Sequence, residues 1–201
     1  MGSVSNNSGA SGRPRAGLLS RFRRDARGSV AIEFSMLILP FALLTFAILE
    51  SCISFAGKQV LANAADDVAR QFRTGQLRAP ATPQEKEELK EEIVAQICGR
   101  LEIIVTKGCP GLKIDLRHFD SFPEAAKLGF TISSGEISLT DNGKTDSNGF
   151  DIDPGPTMSK NMLRIFYEWP VITDFMSKYM AKLNGGKTLH FATMTWQNEP
   201  Y

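Results

Sequence analysis

The chain has 201 residues, of which 42% are hydrophobic and 22% are charged, and its formal net charge is +1. This length allows one domain of ordinary size with a tail or an anchor, and hardly two domains. The composition is typical of a globular protein rather than a disordered one. A net charge this close to zero predicts no nucleic-acid partner.

Charge is distributed unevenly along the chain. Residues 1–28 hold a single acidic residue, Asp25, against six arginines. These are Arg13, Arg15, Arg21, Arg23, Arg24 and Arg27. A basic segment next to an apolar run is typical of the cytoplasmic flank of a membrane helix. We therefore expect residues 1–28 to be a basic leader that stays in the cytoplasm.

An apolar run follows the leader. Residues 30–56 contain two formal charges, Glu33 and Glu50, and the 16 residues of the stretch 34–49 contain none. As a helix this stretch would span about 24 Å, and residues 51–57 would extend it to the roughly 30 Å of a bilayer core. Lys58 is the only basic residue in the next dozen positions. We predict a transmembrane helix over 29–57 and an extracytoplasmic domain over 58–201.

Three other interpretations of the run remain open. A cleaved secretory signal would use the small residues of 54–56, which read Ser-Phe-Ala. A lipoprotein signal would end at Cys52, although the acidic Glu50 two positions earlier fits that signal poorly. The run could also be a plain signal anchor, in which Glu33 lies at the cytoplasmic interface by chance.

The residues around Glu33 favour a more specific interpretation. Gly28, the tetrapeptide Ser-Val-Ala-Ile and then Glu33 and Phe34 resemble the processing site of type IV pilin-like proteins. With the arginine-rich leader and the long apolar helix, residues 23–73 resemble a TadE-like pseudopilin of the bacterial tight-adherence (Flp pilus) system. The segments Tyr-Glu-Trp-Pro at 167–170 and Asn-Glu-Pro-Tyr at 198–201 are similar to endings common in that family. Phe34 departs from the tyrosine usual in pilin subunits of this system.

The resemblance implies a function and a set of partners. A prepilin peptidase would cut between Gly28 and Ser29, which leaves Glu33 as the fifth residue of the mature chain. In pilin-like assemblies this glutamate is thought to neutralise the new amino terminus of a neighbouring subunit and so to set the axial register. The expected partners are the membrane, the peptidase and other pilins or pseudopilins. The expected location is the bacterial inner membrane with a periplasmic domain, or a place in or at the tip of a surface pilus.

A second interpretation belongs to a different class. The chain would then be an unprocessed, single-pass membrane protein whose periplasmic domain binds a partner or acts as a scaffold. Neither interpretation makes the protein an enzyme. Ionisable residues inside a bilayer are costly and are usually paired or functional, so Glu33 is the residue that decides between them.

The helix is predicted to continue beyond the membrane, over 29–72, although Pro40 would remove one backbone hydrogen bond. Val60, Ala64, Val68 and Phe72 recur every four residues and form an apolar stripe. We expect this stripe to pack against the extracytoplasmic domain. The alternative is a surface that contacts other pseudopilins.

A second helix is predicted over 83–98. Thr82 as N-cap, Pro83 at the first helical position and Glu85 three residues after the cap form a capping-box pattern. The buried face is expected to consist of Leu89, Ile93 and Ile97. The glutamates between them alternate with lysines, which is typical of a solvated face rather than a cation site.

After Gly99 the period becomes strand-like. Candidate strands lie at 101–105, 112–116, 130–132, 136–139, 162–167 and 189–196. An amphipathic helix is expected between Pro170 and Leu183, ended by Gly185 and Gly186. The predicted fold class is α+β, with a long N-terminal helix followed by an antiparallel sheet packed on helices. The resemblance adds that this plan is pilin-like.

The cysteines predict a disulfide. Cys98 and Cys109 lie in the part of the chain expected outside the cytoplasm, where disulfides persist. Their pairing would close a 12-residue loop and contribute a little under ~3 kcal/mol. Two unpaired thiols are the alternative. Cys52 is expected to be an unpaired apolar residue or a subunit contact.

Little in the sequence points to catalysis. His118 and His190 have no cysteine or acid at metal-ligand spacing. The Gly-Lys-Thr at 186–188 has Ala181 where a phosphate-binding loop needs glycine. The acidic segment 141–153 lacks the spacing of a calcium loop and is predicted to be a turn. Trp169 and Trp196 are expected in the core. We therefore predict no metal, no cofactor and no catalytic residue.

Overall fold

A computed structural model describes residues 27–201. Helix α1 spans Arg27–Arg73 and continues through Pro40, so the predicted long helix is confirmed. The chain divides into two compact units, one that ends at Phe46 and one that comprises Ala47–Tyr201. The arginines of the expected leader, up to Arg24, lie outside the described residues.

Helix α2 spans Pro83–Leu101 and begins as its capping residues predict. The Glu85 amide donates to the Thr82 hydroxyl at 3.2 Å, and the Glu85 carboxylate accepts from the Ala81 amide at 2.7 Å. The predicted strand at 101–105 is wrong. The helix continues past Gly99 because Leu101 is buried in the core, and the following residues form turns, with the Val105 amide bonded to the Leu101 carbonyl.

The larger sheet has four strands in the order β5-β1-β6-β7. These are β1 Leu112–Phe119, β5 Ile152–Asp153, β6 Lys160–Pro170 and β7 Lys187–Gln197. Strand β6 is antiparallel to both β1 and β7, whereas the short β5 is parallel to β1. The sheet is therefore mixed rather than wholly antiparallel.

The smaller sheet is antiparallel, in the order β2-β3-β4. Its strands are β2 Leu128–Ser133, β3 Glu136–Asp141 and β4 Lys144–Thr145, and the single turn α3, Phe122–Ala125, precedes them. The predicted helix between strands β6 and β7 is present but short, as α4 Asp174–Met180. Gly185 and Gly186 do not end it. They form the turn that closes a bridge between Leu183 and Lys187.

Two apolar clusters lie on opposite faces of strand β6, because successive side chains of a strand point to opposite sides. Ile165 faces the cluster that includes Leu61, Val68 and Phe72 of helix α1. Phe166 faces a second cluster, where it packs edge-on against Phe130 and Phe150 and in a tilted contact with Phe191. The apolar stripe of α1 is thus part of the core, and the α+β fold class is confirmed.

Candidate functional site

The peptide bond between Gly28 and Ser29 lies in the described part of helix α1, Arg27–Arg73. Positions 29 and 33 are one turn apart, about 6 Å along the axis. The structure thus places Glu33 on the same side of the helix as the residue that would become the new amino terminus.

The residues that follow Gly28 present an apolar surface. Phe34 is 63% exposed, and Leu37 and Phe41 are exposed to a similar degree. Among residues 27–201, one helix is long and apolar enough to cross a membrane, and none of its most apolar 18-residue stretch is buried. A soluble protein rarely exposes so large a contiguous apolar surface. This helix therefore suggests a single-pass membrane anchor.

The first acid after the apolar run, Glu50, is buried against the folded domain. Its side chain is part of a residue only 8% exposed. One carboxylate oxygen accepts from the Ile172 amide, and both oxygens accept from the Thr173 amide at 3.3 Å. The Thr173 hydroxyl also donates to this carboxylate. Because a buried charge is costly unless it is hydrogen-bonded, these donors explain how α1 keeps an acid there.

A second buried polar side chain, His190, contacts helix α1 one turn after Glu50, at Ser54. It comes from strand β7, is 6% exposed and stacks on Trp169 with ring centroids 4.7 Å apart. Its Nε2 lies 2.9 Å from the Ser54 hydroxyl, whereas the buried Nδ1 has no hydrogen-bond partner among residues 27–201. Burial, with a smaller effect of the Lys58 charge, lowers the pKa of His190 to about 4. The ring is therefore neutral at neutral pH.

Gly57 completes this contact surface. A Cβ at Gly57 would lie 2.8 Å from Cη2 of Trp169, so only glycine lets the indole pack against the helix. Glu50, Ser54, Gly57 and Leu61 follow one another at intervals of four, three and four residues, which places them on one helical face. We call Glu50, Ser54, Gly57 and the core residues Leu61, Ala64, Val68 and Phe72 the docking stripe.

The sequence predicts the C-terminal part of the docking stripe, from Ala64 to Phe72. It does not predict the N-terminal part, from Glu50 to Gly57. The sequence patterns identify Glu50 as a charge that fits a lipoprotein signal poorly, and His190 as an unlikely metal ligand. A signal for Glu50 does exist in the sequence, because no basic residue lies within four positions on either side of it. A buried acid in that setting must take its hydrogen bonds from elsewhere in the fold.

The predicted disulfide is present. Cys98 at the end of α2 is bonded to Cys109, with their Cα atoms 5.7 Å apart. The Glu102 carboxylate accepts from the Gly108 amide at 2.8 Å within the same loop. Cys52 is free and exposed. Within residues 27–201 no three histidine, cysteine or acidic residues are grouped so that they could hold a metal ion.

The comparisons with known proteins bear on the first part of the chain. The family model described as TadE-like protein matches residues 28–70, about a fifth of the chain. A search of curated proteins found no match, and neither did a search of solved structures. The matched range begins at Gly28, contains Glu33 and Phe34, and includes most of the docking stripe. Over residues 28–70 the chain is thus similar to TadE-like proteins.

Proposed function

We propose that the protein is a minor, pilin-like component of a tight-adherence pilus, that a prepilin peptidase cuts it after Gly28, and that it acts in pilus assembly without being an enzyme. The observation that carries this proposal is that the TadE-like match begins at Gly28 and includes Glu33, at the start of a helix with an exposed apolar surface. Its partners would be the peptidase, other pilins or pseudopilins and the membrane.

The proposed topology has a cytoplasmic leader of residues 1–28 and a periplasmic domain, with the helix in the inner membrane. The disulfide between Cys98 and Cys109 supports an extracytoplasmic domain, because disulfides persist outside the reducing cytoplasm. The contacts of Glu50 refine the predicted span of 29–57. We propose that the hydrocarbon crossing ends near Leu49, since residues 30–49 as a helix reach about 30 Å, the thickness of a bilayer core.

Processing is tested by the mass and amino-terminal sequence of the chain purified from membranes. We expect a chain that starts at Ser29 and lacks the mass of residues 1–28. A Gly28→Leu variant should keep its leader. Gly99→Ala is the matched control, because a methyl group at Gly99 meets nothing within 4 Å, and it should be cut normally. A native chain that still starts at Met1 would favour the unprocessed binding or scaffold protein, and a start at Gly57 would indicate ordinary secretion.

Glu33 is tested separately from cleavage. In a strain that carries the complete secretion system, Glu33→Ala should be cut but should assemble poorly, because the amino group of a neighbouring subunit loses its carboxylate. Ser35→Ala, two residues further along the same exposed helix, is the control and should assemble normally. Unchanged recovery of Glu33→Ala in sheared surface pili would contradict the proposed role in register.

A further inference from the structure

The segment between strands β6 and β7, residues 171–182, is fixed to helix α1 where the apolar run ends. Glu50 accepts hydrogen bonds from the amides of Ile172 and Thr173 in this segment. Val171 and Met180 line a small cleft together with Ser51 and Ser54 of the helix. The segment therefore lies beside the residue that directly follows Leu49, the last residue of the uncharged apolar run.

This segment exposes large hydrophobic side chains, which is unusual for the domain. Among the described residues after Gly57, three large hydrophobic side chains are more than 70% exposed. Two of these three, Ile172 and Tyr179, lie in the segment 171–182. Ile172 is 74% exposed and Tyr179 is 73% exposed. Lys178 and Lys182 are exposed as well. An apolar side chain, a tyrosine and lysines are the residue types that bind the interface between lipid and water.

We propose that residues 171–182 form an interfacial anchor that lies in the headgroup layer of the bilayer crossed by helix α1. This inference rests on the membrane anchoring in the proposed function. Ile172 enters the upper acyl region, and Tyr179 lies at the level of the headgroups. Lys178 and Lys182 bind lipid phosphates, an attraction that is stronger for anionic lipids.

This contact gives the domain a second point of attachment. A single helix leaves a domain free to tilt on the membrane, whereas a helix together with an interfacial segment fixes its orientation. Glu50 couples the two attachments, because its carboxylate bonds the backbone of the segment directly to α1.

The test uses the full-length chain in vesicles of phosphatidylcholine and phosphatidylglycerol. In a Cys52→Ser background, Ile172→Cys is labelled with a small fluorophore, and quenching by iodide in the water is compared with quenching by nitroxide lipids. Met158→Cys is the matched control. Met158 is also an exposed apolar residue, and its neighbour Thr157 bonds to Glu199, which contacts Arg73 at the other end of α1. Leu44→Cys reports whether the helix is inserted.

We expect the label at position 172 to lose fluorescence with nitroxide lipids, as position 44 does, and to resist iodide. Position 158 should respond to iodide alone. Tyr179→Cys should behave like Ile172→Cys, which guards against a local effect of one substitution. If position 172 responds like position 158, the proposal is wrong. If it is shielded from both quenchers, a second copy of the chain covers the segment, and the proposal is equally wrong.

The outcome is separable from that of the proposed function. Lipid quenching at position 172 does not require cleavage after Gly28, so an unprocessed chain can still have the interfacial anchor. Absence of lipid quenching at position 44 would overturn the membrane anchoring itself, and this inference with it.

Discussion

At the residue scale, the docking stripe contains one buried polar group, Glu50, and contacts a second, His190 of strand β7. Their hydrogen-bonding needs are met differently. Glu50 accepts hydrogen bonds from two amides and a hydroxyl. Within the part of the chain that the structure describes, His190 is hydrogen-bonded to the Ser54 hydroxyl alone, and its second ring nitrogen has no partner. The carboxylate is therefore hydrogen-bonded by three donor groups, whereas burial disfavours the charged form of the imidazole.

Acid is therefore expected to weaken the fold through His190. Its pKa is lowered to about 4 in the folded protein, against about 6.5 in the unfolded chain. Below pH 6.5 the unfolded state binds a proton that the folded state does not, so stability is complete above pH 6.5 and falls as the pH decreases toward 4. The loss should approach about 3 kcal/mol at pH 4, as measured by denaturant unfolding in detergent with tryptophan fluorescence.

A His190→Gln variant isolates this effect from the titration of the carboxylates. The variant should be less stable at neutral pH, because it loses the stacking on Trp169, but its stability should change less between pH 7 and pH 4. Parallel pH profiles for the native protein and the variant would show that His190 is not the group responsible.

At the scale of elements, the packing of α1 on the sheet depends on a glycine. The ring of Trp169 occupies the space that a side chain at position 57 would need. Gly57→Ala should therefore destabilise the protein by about 1 to 3 kcal/mol, because the indole or the helix must move. Gly99→Ala in α2 meets no atom within 4 Å and should stabilise by about 0.5 to 1 kcal/mol through helix propensity alone.

The two substitutions are expected to change the free energy of unfolding in opposite directions. Denaturant unfolding should therefore show a lower midpoint for Gly57→Ala and a higher midpoint for Gly99→Ala. If Gly57→Ala were as harmless as Gly99→Ala, the indole could not be packed tightly on the helix. Retention of the Trp169 fluorescence maximum in the variant would support the same conclusion.

The disulfide is the second device that holds α2 in place. Reduction, or the double substitution Cys98→Ala with Cys109→Ala, should lower the free energy of unfolding by a little under ~3 kcal/mol, since the unfolded chain loses the closed 12-residue loop. Denaturant midpoints with and without reductant measure this effect. Cys52→Ser serves as the control and should not change the midpoint. Equal midpoints in both conditions would mean that the loop is already held by other contacts.

Local patterns predicted the elements whose causes are local. The capping residues at Thr82 and Glu85 located the start of α2, and the alternation of apolar and charged residues located β1. The candidate strands at 162–167 and 189–196 fall within β6 and β7. The end of α2 was missed because the burial of Leu101 depends on packing against distant parts of the chain. The strands β4 and β5 were missed because each has only two residues, which is too short to show a period.

The same distinction applies to the candidate site. Gly28 and Glu33 are recognisable from adjacent residues, whereas the contact of Glu50 with Thr173 joins positions 123 residues apart. The contact of Ser54 with His190 joins positions 136 residues apart. No periodicity within a single segment could have paired these groups.

At the scale of the whole molecule, a buried ion pair within the larger sheet also reaches the smaller sheet through Arg164. Arg164 of β6 donates to Asp115 of β1 through Nε at 3.0 Å and Nη2 at 2.7 Å, and its Nη1 donates to the Gly129 carbonyl of β2. Asp115 also accepts from Arg117, which binds Asp146 in turn. Both Asp115 and Arg164 are almost completely buried. The smaller sheet is thus attached to the larger one by charge as well as by the phenylalanine cluster.

Breaking this pair should have the largest effect of the substitutions considered. Asp115→Ala leaves Arg164 as a buried charge without its partner, and we expect a loss of about 3 to 5 kcal/mol in unfolding free energy. Asp153→Ala removes the exposed partner of His118 and should cost less than about 1 kcal/mol. Adding Arg164→Met to Asp115→Ala should restore much of the loss, because the pair is then replaced by apolar groups. If the double variant were less stable than Asp115→Ala alone, Arg164 would be held mainly by the Gly129 carbonyl, and its role would be to anchor β2 rather than to balance the charge of Asp115.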